Sequence, residues 1–261
     1  MDVETLFRLD GKTALVTGAS TGLGAMIAEG FVRSGARVYI CGRKMQPLEA
    51  LAERLDALGP CIPVACDISL EDGRAALTSA IAARESELHI LVNNAGTSWG
   101  APLDSFPAKG FDKILGLNLT APFFLIQALL PQLRAAARES DPARIINISS
   151  IDGLRPPERE SYSYSASKAG LIMLTRHLAR RLAREHVAVN AIAPGLFETP
   201  MTDFIFDPAH PLHEPPPDLP LGNRAGRAED IAAAAIYLAA RAGAHLTGIT
   251  LPVSGGEATA E

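Results

Sequence analysis

The sequence predicts an α/β fold: a single Rossmann-like, doubly wound domain with a mostly parallel seven-stranded sheet and helices on both faces. The first observation behind this prediction is that short β-branched runs alternate with longer amphipathic segments along the chain, a pattern typical of βαβ units. The second is that 48% of the 261 residues are hydrophobic and 20% are charged, which suits one sizeable core. The third is that no internal repeat or low-complexity segment interrupts the alternation, so we expect residues 1–261 to form one domain.

Strands and helices follow one another in a regular order. Seven β-branched or aliphatic runs predict the strands: Thr13–Thr17, Val38–Cys41, Ile62–Cys66, Ile90–Val92, Arg144–Ile148, Val187–Ile192 and His245–Val253. Amphipathic segments predict the helices: from about Gly22, through Leu48–Leu58 and Ala75–Ala83, from about Phe111 to Arg138, from about Ser161 to Glu185, and Glu229–Ala240.

A proline-rich segment from Pro200 to Pro220 fits neither pattern, because proline lacks the backbone N–H that helices and central strands use. A loop of this length in a compact domain is commonly a lid. We therefore predict a substrate-lid region at about residues 200–226. Its histidines, His210 and His213, stand near Asp207 and Glu214 without metal-ligand spacing, so we expect no metal site.

Charge and cysteine content narrow the class of protein. The formal net charge of −5 disfavours binding to nucleic acid or to anionic membranes, which calls for a basic surface. Charged residues precede any apolar run at the N-terminus, and the run Ile231 to Ala240 is too short to span a membrane. Cys41, Cys61 and Cys66 form an odd, unpatterned set, as reduced thiols do. We expect a cytoplasmic protein without a membrane segment.

The first strand runs into a glycine-rich loop, Thr17-Gly18-Ala19-Ser20-Thr21-Gly22-Leu23-Gly24. Glycines allow the backbone to approach a pyrophosphate closely, and the helix that follows offers its N-terminal N–H groups and dipole to the anion. Because the loop lies between a strand and a helix, it predicts a dinucleotide site and not merely a turn.

The second strand ends in Cys41-Gly42-Arg43-Lys44, where an NAD site would offer a carboxylate to the ribose 2′-hydroxyl. Arg43 and Lys44 could instead neutralise a 2′-phosphate, which points to NADP(H). The alternative is that both residues only cap a solvated helix. Asp67, after the third strand, could bind the adenine amino group or could equally be a turn residue.

Tyr164 and Lys168 stand four residues apart at the start of a predicted helix, so their side chains share one helix face. A phenol has a pKa of about 10. A positive charge about 4 Å away, at an effective dielectric near 20, favours the phenolate by roughly 4 kcal/mol and would bring the pKa of Tyr164 towards working pH. Tyr162 points to another face of the helix and is not the expected acid.

Polar residues also follow the fourth and fifth strands, at the edge where α/β proteins bind ligands. They are Asn93-Asn94-Ala95-Gly96 and Ser149-Ser150. Asn118 lies in the long helix four residues before Pro122, which has no N–H to donate to the Asn118 carbonyl. That carbonyl is free for water or a ligand; alternatively, the proline marks only a kink.

These motifs resemble, in order and approximate spacing, those of the short-chain dehydrogenase/reductase family over essentially the whole chain. The resemblance implies a catalytic tetrad of Asn118, Ser150, Tyr164 and Lys168. Tyr164 would be the general acid/base, Lys168 would bind the nicotinamide ribose and lower the Tyr164 pKa, Ser150 would hold the substrate oxygen, and the Asn118 carbonyl would position a water. Ser150 is preferred to Ser149 because the family places its functional serine second in the pair.

The coenzyme contacts expected from the motifs and the resemblance are Gly18, Ser20, Thr21, Gly22, Leu23, Gly24, Arg43, Lys44, Asp67, Ile68, Asn94, Ala95, Gly96, Tyr164, Lys168, Pro194, Gly195 and Thr199. One departure is Thr21, which stands where many NADP(H)-dependent relatives carry Arg or Lys. The NADP(H) prediction therefore depends on Arg43, with help from Lys44.

The expected activity is NADP(H)-dependent reduction of a carbonyl. The segment Asn93–Gly100 resembles that of 3-oxoacyl-thioester reductases, including the type associated with rhamnolipid synthesis, and apolar lid residues could cover an acyl chain: Met201, Phe204, Ile205, Phe206 and Leu212. Arg176, Arg180 and Arg184 could form a basic stripe for an acyl carrier protein, or only a solvated face. The alternatives are an NAD-dependent dehydrogenase of a polyol or sugar acid and a catalytically silent dinucleotide-binding module. We also expect a homo-oligomer, most simply a homotetramer, because the C-terminal helix and strand are apolar.

Overall fold

Seven parallel strands form one sheet in the order β3-β2-β1-β4-β5-β6-β7 in the computed structural model, which describes residues 2–210, 213 and 219–259. The strands are β1 (Thr13–Thr17), β2 (Arg37–Gly42), β3 (Cys61–Ala65), β4 (Ile90–Asn93), β5 (Ala143–Ile148), β6 (Val187–Pro194) and β7 (Thr250–Val253). The predicted fold class is confirmed.

The helices are α1 (Val3–Leu6), α2 (Gly22–Arg33), α3 (Met45–Leu55), α4 (Glu71–Ala82), α5 (Ala108–Leu115), α6 (Ala121–Ala136), α7 (Tyr162–Leu182), α8 (Asp203–Phe206) and α9 (Ala228–Ala239). Strand order reverses between β1 and β4, which are neighbours in the sheet. Such a switch point opens a crevice at the carboxyl ends of the strands, where α/β proteins bind ligands.

Two apolar clusters cover the two faces of the sheet. Alternation along β1 sends Leu15 to one cluster and Val16 to the other, because successive side chains of a strand point in opposite directions. α2 and α9 pack together on the Val16 face, whereas α4 and α6 pack on the Leu15 face. The two covered faces explain why most strand residues are apolar and why the strands show no regular alternation with polar residues.

The last strand is shorter than predicted, since β7 begins at Thr250 and not at His245. Gly248 has a φ of +79°, a left-handed conformation that interrupts an extended strand. The main chain still bonds to β6 before the strand begins, because Gly248 N–H donates to the Val189 carbonyl at 2.8 Å.

The predicted long helix contains a π-helical turn over Gly116–Thr120, between α5 and α6. Ala121 N–H donates to the carbonyl of Gly116, five residues earlier. Asn118 lies inside this turn, four residues before Pro122, so the predicted distortion is present as a π-bulge.

The 108–136 run is the one described helix long and apolar enough to cross a membrane by length and composition. One side of this helix packs in the protein core, where Leu125, Leu129 and Leu133 are buried. Phe123 and Phe124 are exposed on its other side.

The region predicted to be a lid contains one short helix, α8, which the proline content did not predict. Ile205 of α8 is buried with Leu196 and Leu219, and Phe204, Phe206 and Ala225 pack around them. Leu212 and Glu214, named in the sequence predictions, lie outside the described residues.

Candidate active site

The glycine loop is fitted tightly against the segment after β4. Gly18 has a φ of +62°, and a Cβ there would lie 2.7 Å from the Ala95 Cα. A Cβ at Gly24 would collide with the Asn94 amide nitrogen and would lie 2.6 Å from the Gly18 carbonyl oxygen. Contacts below 3.0 Å are closer than real Cβ atoms come, so both positions require glycine. The loop is therefore held at the switch point of the sheet.

Thr17, the last residue of β1, holds the two segments together, a role not predicted from the sequence. Its hydroxyl oxygen accepts hydrogen bonds from the N–H groups of Asn94 and Ala95, both at 3.0 Å. The Asn94 side-chain amide donates to the carbonyls of Thr17 and Gly18 at 2.8 and 3.0 Å. The only signal in the sequence was a hydroxyl residue at the end of the first strand.

The N-terminus of α2 suits an anion. Thr21 is its N-cap, yet its side chain makes no capping hydrogen bond. The N–H groups of the first turn therefore remain available to other acceptors, such as phosphate oxygens. Gly22 has a φ of +59°, and a Cβ there would lie 3.4 Å from the Cβ of Thr199. Thr199 thus packs against the start of α2 at Gly22.

Arg43 and Lys44 follow β2 and are both exposed. The Ser20 side chain lies close to Gly42, because a Cβ at Gly42 would be 3.5 Å from the Ser20 hydroxyl oxygen. Arg43 and Lys44 therefore follow directly on a residue that contacts the glycine loop, and their binding of a 2′-phosphate stays a prediction.

Asp67 makes turn contacts after β3, and its predicted contact with the coenzyme stays a prediction. Its Oδ1 accepts hydrogen bonds from the Ser69 N–H at 2.9 Å and from the Ser69 hydroxyl at 2.6 Å. These bonds hold the Asp67 pKa below its usual value, and the charge of Arg43 contributes in the same direction. Ile68, the next predicted coenzyme contact, is buried in the core.

Tyr164 and Lys168 are close together, but their electrostatics differ from the sequence prediction. The Lys168 ammonium lies 5.5 Å from the centre of the Tyr164 ring and donates a hydrogen bond to the Ile148 carbonyl at 2.8 Å. The Tyr164 pKa is raised to about 12, mainly by burial. A hydrogen bond with the neighbouring Ser150 hydroxyl lowers this pKa, and the negative charge of Asp152 raises it. Burial lowers the Lys168 pKa to about 8.

The prediction that Lys168 lowers the Tyr164 pKa towards working pH is therefore wrong. With the groups that this chain supplies, the Tyr164 pKa is raised. Its simple Coulomb argument omitted the desolvation of both groups, which favours the neutral phenol and the neutral amine. At neutral pH, Tyr164 is a protonated phenol.

The two serines after β5 have different partners. The Ser149 hydroxyl donates to the main-chain carbonyl of Lys168 at 2.9 Å. Ser150 is next to Tyr164, and its hydroxyl oxygen accepts from the Asp152 N–H at 3.1 Å. Ser149 therefore supports the α7 backbone, and Ser150 is the hydroxyl beside the phenol, in agreement with the choice made from the sequence.

The Asn118 side chain is fully engaged within the protein. Its Oδ1 accepts from the Thr97 N–H at 2.9 Å, and its amide donates to the Thr97 carbonyl and the Ser167 hydroxyl, both at 3.0 Å. The side chain thus ties the segment after β4 to α7. A chemical role for Asn118 would have to be played by its main-chain carbonyl, as the sequence analysis expected.

Gly96 lies beside both Asn118 and Lys168. A Cβ there would lie 3.2 Å from Asn118 Oδ1 and 3.5 Å from the Lys168 ammonium. Lys168 has three N–H donors, and the Ile148 bond uses one. Ribose hydroxyls are acceptors that fit such an ammonium, so the residues present suit a nicotinamide dinucleotide from the glycine loop to Lys168.

Pro194 is the last residue of β6. The next residue, Gly195, packs against the C-terminal turn that contains Ser254 and Glu257. A Cβ at Gly195 would lie 2.7 Å from Glu257 Oε2. That same oxygen accepts from the Leu196 N–H at 3.2 Å. Glu257 therefore reaches the predicted nicotinamide end of the site, although nothing in the sequence pattern singled it out.

In the part of the chain that the structure describes, no group of three or more His, Cys, Asp or Glu side chains is placed to hold a metal ion. The groups collected at the site are a protonated phenol, a hydroxyl beside it and a buried ammonium. They can donate a proton to a carbonyl oxygen and orient it, while a bound dinucleotide carries the redox chemistry.

The fold and this site define a dinucleotide-dependent oxidoreductase. The chain belongs to the short-chain dehydrogenase family, whose model, described as short chain dehydrogenase, matches residues 12–209. The family and the enzyme class predicted from the sequence are thereby confirmed.

Two comparisons point to the same relative. The chain is 46% identical to the rhamnolipids biosynthesis 3-oxoacyl-[acyl-carrier-protein] reductase of Pseudomonas aeruginosa over 250 residues, covering 96% of this chain and 97% of that protein. The structure of an RhlG/NADP active-site complex from Pseudomonas aeruginosa matches with a TM-score of 0.91 and 45% identity, over 97% of this chain and 99% of that one. The predicted coenzyme agrees with the NADP in that complex.

A third similar structure has another activity. It is a gluconate 5-dehydrogenase from Burkholderia cenocepacia in complex with NADP and tartrate, with a TM-score of 0.88, 31% identity and complete coverage of both chains.

Proposed function

We propose that this oxidoreductase uses NADPH to reduce a 3-oxoacyl thioester, carried by coenzyme A or by an acyl carrier protein, to the secondary alcohol. The observation that carries the proposal is the arrangement of the Tyr164 phenol beside the Ser150 hydroxyl, with the buried Lys168 ammonium 5.5 Å from the centre of the phenol ring. Reduction of a ketone needs a proton donor at the carbonyl oxygen, and the Tyr164 phenol is the group that can supply this proton.

Each residue of the tetrad has a role in this proposal. Ser150 donates a hydrogen bond to the substrate oxygen, and Tyr164 transfers its proton to that oxygen. Lys168 binds the nicotinamide ribose and stabilises the phenolate that remains. Asn118 keeps the segment after β4 in place and offers its main-chain carbonyl to a water that returns the proton. NADPH, when bound, supplies the hydride.

The acyl substrate is supported by the similarity to the Pseudomonas reductase and by the apolar character of the lid region. Met201 is exposed, and Phe204 and Phe206 pack only partly buried around Ile205. An acyl chain that covered these side chains would gain about 0.8 kcal/mol for each buried methylene.

The carrier-protein form of the substrate is supported by the basic stripe on α7. Arg176, Arg180 and Arg184 are all exposed. None of them forms a salt bridge with another described residue, whereas the neighbouring Arg181 is paired with Glu185 at 3.2 Å. An acidic carrier protein would offer the missing partners.

A panel of carbonyl substrates tests the proposed function. We expect NADPH-dependent turnover of acetoacetyl-CoA and of longer 3-oxoacyl thioesters, with higher kcat/KM for longer chains. The second candidate, a sugar-acid or polyol dehydrogenase, is favoured by the similarity to the NADP and tartrate complex of a gluconate 5-dehydrogenase. Turnover confined to sugar acids and polyols would support that candidate and reject the thioester substrate.

We expect the unmodified enzyme to prefer NADPH to NADH, and Arg43→Ala to remove about 1.5 to 3 kcal/mol of this preference, as charge-assisted hydrogen bonds contribute. The guanidinium suits a phosphate and gains little from a hydroxyl. The measurement is kcat/KM for both coenzymes. Arg37→Ala, at the opposite end of β2, is the control and should keep the preference. Equal kcat/KM values in the unmodified enzyme would reject the NADP(H) assignment.

We also propose a homotetramer, formed through α6 and α7 and not through the C-terminal helix and strand that the sequence indicated. The apolar face of α9 is mostly used inside the chain, because Ile231, Ala235 and Leu238 are buried against the core. Exposed apolar side chains remain on α6 and α7, including Phe123, Phe124 and Met173. Such surfaces suit isologous helix packing.

Light scattering at micromolar concentration should give about four times the 27.5 kDa chain mass. Phe124→Glu should lower the measured mass because it places a charge in an apolar contact. A monomer in the unmodified protein would contradict the proposal.

A further inference from the structure

The Glu257 carboxylate joins the C-terminal turn to the segment that follows β6. Its Oε2 accepts a hydrogen bond from the Leu196 N–H at 3.2 Å, and the same oxygen would lie 2.7 Å from a Cβ at Gly195. The turn is also fixed to this segment by the main chain, because the Gly195 N–H donates to the Val253 carbonyl at 3.0 Å. Pro194 and Gly195 are the residues expected to lie along the nicotinamide. One oxygen of Glu257 therefore holds the main chain at the predicted nicotinamide end of the site.

The other oxygen of Glu257 faces Arg155, which belongs to the loop after Ser150. Glu257 Oε1 lies 3.5 Å from a guanidinium nitrogen of Arg155. The Glu257 side chain is 14% exposed and the Arg155 side chain is 33% exposed, so solvent screens this ion pair less than it screens a pair on the open surface. The two oxygens of one carboxylate thus contact two different segments that border the site.

The loop that carries Arg155 is tied closely to the catalytic residues. Its Arg155 N–H donates to the Ile151 carbonyl at 2.9 Å. One turn earlier, the Gly153 N–H donates to the Ser150 carbonyl at 3.0 Å. A Cβ at Gly153 would lie 2.7 Å from the main-chain carbonyl carbon of Lys168, so the turn packs directly on the main chain of α7. The position of Arg155 is therefore coupled to those of Ser150 and Lys168.

We propose that Glu257 is a positioning residue that keeps the nicotinamide segment in register with the turn that carries Ser150. We call its contacts with Arg155 and with the Leu196 N–H the carboxylate clip. Ser150 would hold the substrate oxygen, and the segment at Gly195 would face the nicotinamide, so the separation of the two sets the distance of hydride transfer. A misplacement of about 1 Å can lower a rate by about 10²-fold. This inference rests on the carbonyl reduction of the proposed function, but not on the thioester as substrate.

Two substitutions of Glu257 separate the contacts of the carboxylate clip. Glu257→Gln keeps an oxygen that can accept from the Leu196 N–H but removes the charge that faces Arg155, whereas Glu257→Ala removes both contacts. We expect Glu257→Ala to slow hydride transfer at least about tenfold and Glu257→Gln to slow it about three- to fivefold. The Kd for NADPH, measured by fluorescence titration, should stay within about threefold of the unmodified value, because the glycine loop is untouched.

Single-turnover kinetics distinguish misplacement from a loss of folded enzyme. Enzyme with NADPH bound would be mixed with a saturating amount of the best carbonyl substrate from the panel, and the loss of NADPH absorbance would be followed. The amplitude reports the fraction of competent enzyme, and the rate constant reports hydride transfer. We expect the Glu257 variants to keep the amplitude and to lower the rate constant. Partial unfolding would lower the amplitude and leave the rate constant unchanged.

A double-mutant cycle tests whether Arg155 and Glu257 act as a unit. Arg155→Met and Glu257→Gln each break the ion pair, so the double variant should be no slower than the slower single variant. Arg54→Met is the matched control. It removes the arginine of another ion pair, in which Arg54 lies 2.7 Å from Glu29, and it should leave the rate constant within about twofold because that pair is exposed.

An unchanged rate constant in Glu257→Ala, or a fall in amplitude alone, would overturn this inference and leave the proposed function standing. Effects of Arg155→Met and Glu257→Gln that multiply in the double variant would overturn it as well. If Glu257→Ala does not fold, Glu257→Gln and the double-mutant cycle decide between the same outcomes. If the unmodified enzyme reduces no carbonyl of the panel, the proposed function fails, and the inference fails with it.

Discussion

Replacing Tyr164 by phenylalanine should lower kcat for ketone reduction by about 10³-fold or more while the affinity for NADPH changes little. The substitution removes the proton that Tyr164 would give to the carbonyl oxygen, and general acid catalysis contributes about 10² to 10⁴ in rate. The ring that packs near Lys168 remains. Steady-state kinetics and a coenzyme titration by fluorescence would separate the two effects.

Tyr162→Phe is the matched control for this experiment. Tyr162 is on the same helix, but it is exposed, and its ring packs against Phe106 with a centroid distance of 5.8 Å. Its loss of a hydroxyl should leave kcat within a factor of about two. If Tyr164→Phe kept more than about a tenth of kcat, a loss below about 1.4 kcal/mol, Tyr164 would not be the proton donor.

Lys168→Met should abolish activity and weaken NADPH binding, yet make the folded protein more stable at neutral pH. Lys168 is 4% exposed, and burial lowers its pKa to about 8 from the ordinary 10.5. A depression of that size means that keeping the ammonium charged in the folded state costs on the order of 3 kcal/mol below pH 8. Methionine fills similar space without a charge, so this cost disappears.

The pH dependence of stability distinguishes this explanation from better packing. Between pH 8 and about 10 the unfolded chain keeps the Lys168 proton while the folded protein releases it, so the stability of the unmodified protein rises with pH. Above pH 10 the Tyr164 phenol, with a pKa of about 12, gives the opposite slope, because the unfolded tyrosine loses its proton first.

Urea unfolding at pH 7 and at pH 9.5 measures this effect. We expect Lys168→Met to exceed the unmodified protein in stability by more at pH 7 than at pH 9.5, because the cost of the charge fades with rising pH. Lys109→Met, which replaces an exposed lysine, should show no such pH-dependent difference. An equal gain at both pH values would point to packing, and a loss at pH 7 would contradict the proposed cost of the buried charge.

The position of the site was readable from the sequence because the parallel α/β fold places the ends of its strands together. The glycine loop after β1, Asn94 after β4 and Ser150 after β5 are far apart in the chain. Once the βαβ alternation is recognised, each must lie at the carboxyl edge of the same sheet. Helical spacing placed Tyr164 and Lys168 on one face of α7 in the same way.

The pKa values of Tyr164 and Lys168 could not be predicted from the sequence in this way. A pKa depends on burial and on every charge nearby, and both are properties of the packed structure. The sequence gives no measure of how deeply Lys168 is buried, so a pairwise estimate of its effect on Tyr164 had the wrong sign for the net shift. The π-helical turn around Asn118 likewise needed the packed helix, although Pro122 indicated a distortion there.

By itself, the sequence determined the α/β class, the family and the order of the motifs, because these follow from local periodicity and from residue types at fixed spacing. Only the tertiary structure decided that Thr17 fastens the glycine loop, that Asp67 is used in a turn, and that Glu257 meets Leu196 across 61 residues of chain. Such contacts join segments whose separation is set by packing alone. Their energies depend on burial and distance, which no local pattern in the chain encodes.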